Sequence, residues 1–61
     1  MASSLAVVSA TNVPSAGGTF VRLVLNDSTE AAIYLDDGSP RGLMHELLDA
    51  WLAEGNEIAQ E

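Results

Sequence analysis

One stretch of this chain carries a helix start signal, a periodic apolar stripe and a stop signal together, and it limits what the remaining residues can do. Between Ser39 and Asn56, the apolar residues Leu43, Met44, Leu47, Leu48, Trp51 and Leu52 recur at three- and four-residue spacing. At about 100° per residue that spacing makes a broad apolar face with Met44 and Trp51 near its centre. Ser39 is suited to be the N-cap, and Pro40 to be the first helical residue, where a missing N–H costs nothing. Gly55 is suited to end the helix in a left-handed conformation, with Asn56 following. The stretch predicts one amphipathic helix, and the rest of the chain must supply the surface that covers it.

The best candidate for that surface is a hairpin. In Phe20–Asn26, Val21, Leu23 and Leu25 share one face, while Phe20, Arg22 and Val24 share the other. Asn26, Asp27 and Ser28 form a turn cluster, after which Ala31–Asp36 resumes alternation with Ala31, Ile33 and Leu35 on one side. A loop of about three to five residues joins the two strands. The expected core places Val21, Leu23, Leu25, Ile33 and Leu35 under Leu43, Met44, Leu47, Leu48 and Trp51, with Asp37 and Gly38 turning the chain from strand to helix. Upstream, Leu5–Ala10 is β-branched but brief, and reads as a third strand, a helix turn, or an arm that pairs with another chain. Thr11–Gly18 gathers Asn, Pro, Ser and two Gly, which predicts a flexible loop. Glu57–Glu61 has little to hold it beyond Ile58 folding back. The predicted fold class is α+β: a β-hairpin, with Leu5–Ala10 available as a third strand, packed on one C-terminal helix. Residues 1–18 are an arm and loop, and 19–61 a ββα mini-domain.

Composition narrows the function. The chain has 61 residues, nine Asp or Glu against Arg22 and Arg41, no lysine, no cysteine and a formal charge of −7. Phosphate backbones and acidic membranes are poor partners for such a chain, since both are bound through Lys and Arg. The apolar runs are too short to span a bilayer, and no positive region precedes Leu5–Val8, which argues against a secretory leader. Without cysteines there is neither a disulfide framework nor a thiolate metal site. A core this small ordinarily needs a staple or a neighbour. The second hairpin face, with Phe20, Val24, Ala32 and Tyr34, is too apolar for a fully solvated surface, and a two-stranded hairpin leaves an open edge. Both features predict a protein interface made by Phe20, Val24 and Tyr34, with Leu5 and Val7 on the arm.

Signs of chemistry are weak. His45 and Asp49 are four residues apart and able to pair as half of a triad, but no Ser or Cys stands in a nucleophile context, and a lone His on the polar face of a helix is ordinarily solvated. Asp27, Asp36 and Asp37 lack the alternate-ligand spacing of a calcium loop, and Gly17-Gly18 lacks the spacing of a phosphate-binding fingerprint. No catalytic residue, cofactor, metal or small-molecule substrate is expected. Glu46, Asp49, Glu54, Glu57 and Glu61, near Asp36 and Asp37, spread negative charge along and beyond the helix. That face is either plain solvation or, through Glu46, Asp49 and Glu54, an imitation of nucleic acid for the basic groove of a host enzyme.

The run Ala50-Trp51-Leu52-Ala53-Glu54-Gly55-Asn56 resembles a recurrent ending in small tail-associated proteins of bacteriophages, Trp-x-Ala-Glu-Gly-Asn on a helix that follows a strand and an Asp-Gly turn. Asp37-Gly38 stands in the comparable place here, and the chain departs after Asn56, where that segment often continues Thr-Pro. The resemblance implies a non-enzymatic structural or adaptor part of a virion, of its tail or baseplate, assembled in the host cytoplasm. Its partners would be other virion proteins or copies of itself, with no direct contact to nucleic acid or membrane. The resemblance carries over no catalytic residues.

Overall fold

The computed structural model describes residues 4–15, 17–35 and 40–61. Strands β1 (Val7–Ser15), β2 (Gly18–Leu25) and β3 (Glu30–Tyr34) precede helix α1 (Leu43–Ala53), and a short strand β4 (Ala59–Gln60) follows it. The sheet order is β3-β2-β1-β4, antiparallel except for the parallel β1/β4 pair. The fold is therefore α+β, a hairpin packed on a helix, with the N-terminal segment as a third long strand.

The β2–β3 hairpin follows the alternation in the sequence. Val21 pairs with Ile33 and Leu23 with Ala31, so Val21, Leu23, Leu25 and Ile33 face the helix and are buried. The four-residue connection is closed by Ser28 N–H donating to the Leu25 carbonyl at 2.9 Å and Leu25 N–H donating to the Thr29 carbonyl at 2.8 Å. Ser28 adopts φ +73°, a left-handed conformation that costs an L-residue roughly 1 kcal/mol. Ser28→Gly is expected to stabilise the chain by up to about 1 kcal/mol, read as a raised denaturation midpoint with an unchanged slope. Leu35, expected in the core, is 48 % exposed because β3 ends at Tyr34 and the inward alternation ends with it.

The stretch Thr11–Gly18 departs from the loop expectation. Its first five residues continue β1 to Ser15, and β2 begins at Gly18. Pairing with β2 over the whole of β1 outweighs the local turn preference of Asn, Pro and Ser. A bulge at Val8 lets Val7 and Ala10, three apart, both reach the core opposite Leu25 and Leu23. Val7, expected on an interaction arm, is thus a core residue at 4 % exposure. Asn26 fastens the residues before β1: its Nδ2 donates to the Ser4 carbonyl at 2.8 Å, and its Oδ1 accepts from Ala6 N–H at 3.3 Å.

The helix starts later than its sequence signal. Pro40–Gly42 is non-helical and Gly42 is the N-cap, in extended backbone at φ −145°, so Pro40 is not the first helical residue. The expected cap Ser39 and turn residues Asp37 and Gly38 lie outside the described residues. Where a Ser hydroxyl was expected to cap, His45 reaches back, its Nδ1 accepting from Gly42 N–H at 3.3 Å. The helix ends as expected, with Gly55 at φ +98° and its N–H donating to the Leu52 carbonyl at 3.0 Å. Asn56 Nδ2 caps the Trp51 carbonyl at 2.9 Å. Leu48 is the buried centre of the helix face, with Met44, Leu47, Trp51 and Leu52 packed around it, while Leu43 is 58 % exposed. Relative to a stripe centred on Met44 and Trp51, the buried face is turned by about 50° toward His45. The tail is also ordered by contact: Ile58 folds back onto the core, the one hold expected for it, and β4 pairs with Thr11 and Asn12, where a loose end was expected.

Candidate interaction surface

With the helix on one face of the sheet, the register assigns the other. Its outward side chains are Ser9, Thr11 and Val13 on β1, Phe20, Arg22 and Val24 on β2, and Glu30, Ala32 and Tyr34 on β3. Phe20 stands at the centre of an apolar row, with Val13 on one side and Tyr34 on the other. The Phe20 and Tyr34 rings meet edge to face with centroids 6.0 Å apart. That geometry fits the electrostatics of two π faces and a strand pair with closely spaced side chains. Phe20, Val24 and Val13 are half-buried and Tyr34 is 48 % exposed. Val13 is a member of the row that the sequence did not reveal, because it lay in a stretch with loop composition.

Arg22 separates this row from Val24 and is itself tied down. It bonds Glu61 at 3.5 Å across β1, and Asn12 Nδ2 donates to Gln60 Oε1 at 3.0 Å. Both groups of the ion pair are about half exposed, so the bridge adds little to stability but fixes where the tail lies. Of the five residues expected at an interface, Phe20, Val24 and Tyr34 share this face. Leu5, at 40 % exposure, lies away from it, over the helix. With Ala6, Val7, Leu47, Ala50, Trp51 and Glu54 it lines a cleft of about 70 Å³, room for one side chain and well below the size of sites that enclose a small-molecule ligand.

The polar candidates separate. His45 is 7 % exposed rather than solvated, because the helix is turned so that its ring reaches over β3. Its Nε2 bonds the Tyr34 carbonyl at 2.9 Å while Nδ1 accepts from Gly42 N–H, an arrangement that fits the neutral ring carrying its proton on Nε2. The spacing of His45 with Leu48 and Leu52, three and seven residues on, was the available signal for this inward position. Asp49 does not pair with His45 and instead bonds Arg41 on the solvent side. Glu46 and Glu54 are exposed, so the acidic face is present but its middle carboxylate is neutralised. Asp27 caps the hairpin turn, accepting from the Thr29 hydroxyl and from Thr29 N–H at 3.0 Å. Those bonds, the hydroxyl's first, hold its carboxyl below the usual carboxylate range. Because the folded-state value is the lower one, this turn's contribution is present above the ordinary carboxylate pKa and is lost as pH falls through the depressed value. An NMR titration should therefore place the Asp27 midpoint below that of a free aspartate side chain, and Thr29→Ala should raise it.

Asp36 and Asp37 lie outside the described residues, and among the described residues no three His, Asp or Glu side chains are grouped as a metal site. Gly17 lies in the β1–β2 turn and Gly18 begins β2 at φ +133°. No helix among the described residues is long and apolar enough to cross a membrane. Comparison with family models, curated proteins and solved structures gives no match to this chain.

Proposed function

We propose that this chain is a non-enzymatic structural or adaptor component of a bacteriophage virion, of its tail or baseplate, acting through protein–protein contacts. The observation that carries the contact role is the outer sheet face. Val13, Phe20 and Tyr34 form an apolar row, with Val24 on the same face beyond Arg22, that no described element covers, and the core among the described residues holds seven buried apolar side chains. The assignment to a phage tail is supported by the resemblance of Ala50–Asn56. The partners are other virion proteins or copies of the chain.

Two measurements test this reading. Solution mass and helical signal across a concentration range should reveal either a defined oligomer or a chain that gains structure on assembly, and association should change little with ionic strength. The chain should also travel with intact particles through a density gradient, and the double variant Phe20→Ser/Tyr34→Ser should leave it in the soluble fraction while still folded. A chain absent from particles would end the virion assignment. Binding that falls steeply with salt and is lost on reversing Glu46 and Glu54 would replace it with an acidic mimic of nucleic acid. Enzyme-like hydrolysis abolished by a variant that leaves the fold intact would end the non-enzymatic reading.

A further inference from the structure

The two edges of the sheet are built differently. On the β1 side, backbone alternation turns the carbonyls of Ala10, Asn12 and Pro14, and the N–H groups of Ala10 and Asn12, away from β2. The Asn12 carbonyl accepts from Glu61 N–H at 3.2 Å, β4 pairs at Thr11 and Asn12, Pro14 has no N–H to offer, and the strand is bulged at Val8. Each of these features blunts an edge against further pairing. The β3 edge, Glu30-Ala31-Ala32-Ile33-Tyr34, has no proline, no lysine and no bulge. Since Leu25 N–H donates to the Thr29 carbonyl, alternation makes Ala31 and Ile33 the residues bonded to β2, and Glu30, Ala32 and Tyr34 turn their groups outward. His45 takes the Tyr34 carbonyl. Among the described residues, no hydrogen bond meets the outward groups of Glu30 or Ala32.

Resting on the reading of this chain as an interaction component, we propose that the β3 edge accepts an extended segment of a different protein as an additional antiparallel strand. That segment is apolar at its N-terminal end and carries Lys or Arg at its C-terminal end. The polarity follows from what flanks the edge. Glu30, with Asp27 in the preceding turn, marks the start of β3, and the chain as a whole bears a charge of −7. At the other end, Tyr34 and the adjoining Leu35 are two of the five large apolar side chains exposed among the described residues. An antiparallel strand sets its N-terminal end against Tyr34 and its C-terminal end against Glu30. A second copy fits less well, because antiparallel pairing sets its Glu30 against the apolar Tyr34 end and puts no cation against Glu30, it adds another net charge of −7, and its arginines are already paired with Glu61 and Asp49. His45 sets the limit of the docking edge by occupying its last acceptor.

The test uses the full chain and two synthetic peptides of about ten residues, the length of a long strand. Both alternate Val and Thr; one ends in Lys-Arg and the other begins with it. The Glu30 and Ala32 amides should exchange rapidly in the free chain and slow by at least tenfold with the first peptide, while the second binds several-fold more weakly. Ala32→Pro removes an outward N–H without touching the β2 ladder and should abolish binding. Should that variant unfold, Glu30→Lys, exposed and outside the core, should still weaken binding several-fold. Absence of protection at millimolar peptide, equal binding of both peptides, or concentration-dependent protection of the same amides in the chain alone would each overturn the proposal. Particle association that depends on Phe20 and Tyr34 while the β3 amides stay unprotected would remove the edge proposal alone and leave the assembly reading intact.

Discussion

Leu48→Ala should bring this protein to the margin of unfolding at room temperature, with at most about 2 kcal/mol of net stability left. Leu48 is the one helix residue buried to 1 %, and it sits on the cluster of Val7, Ala10, Val21, Leu23, Leu25 and Ile33. Truncating a leucine so placed costs about 3 kcal/mol, from lost transfer energy and the cavity left behind. A core of this size supplies only about 3 to 5 kcal/mol of net stability, so a single truncation consumes most of it. On the usual scaling the midpoint of thermal unfolding should fall by about 15 °C or more. The control is Leu43→Ala on the same helix. The apolar periodicity counts Leu43 into the stripe, whereas its side chain is mostly in water, and its truncation should change stability by no more than about 0.5 kcal/mol. Equal losses at the two positions would mean that the helix sits in the rotation expected from the sequence.

The second large effect is expected at His45. His45→Ala removes two hydrogen bonds and a buried ring, for a loss of about 2 kcal/mol. His45→Phe restores the volume but neither bond, and should recover only part of that loss. The first helical turn should fray most, read as faster amide exchange at Glu46, whose N–H donates to the Gly42 carbonyl at 3.2 Å. Were the imidazole a solvated group waiting for a substrate, the alanine variant would be as stable as the parent. The histidine thus serves the fold, joining the start of α1 to the end of β3.

Those two residues also mark how much could be read without coordinates. The hairpin, its inward set of Val21, Leu23, Leu25 and Ile33, and the Gly55 stop follow from alternation and from a residue that tolerates positive φ, both of which are local. The expectations that failed depended on pairing. Asn12, Val13 and Pro14 carry turn chemistry, yet β2 offers them a complete ladder, and Pro14 falls where its missing donor points away from that ladder. A period of two cannot find Val7 and Ala10 on one face, because an extra residue intervenes. The helix stripe was legible, but its rotation was not, since that is fixed by the Tyr34 carbonyl across the fold. The outer sheet face was half legible: Phe20, Val24 and Tyr34 come from alternation within one hairpin, whereas Val13 joins them only through β1.

The bulge at Val8 also bears on how the chain tolerates change in its length. Val7 stands opposite Leu25 and Ser9 opposite Val24, so Val8 is the residue with no counterpart. Losing it would leave Val7 inward, Ser9 outward and Ala10 inward, a regular ladder with every facing preserved. Losing a residue within the regular ladder, such as Thr11, would instead turn one arm of the strand over and present its core side chains to water. A one-codon deletion at Val8 is therefore the single shortening of β1 that the rest of the protein need not notice, and it would convert a kinked strand into a straight one.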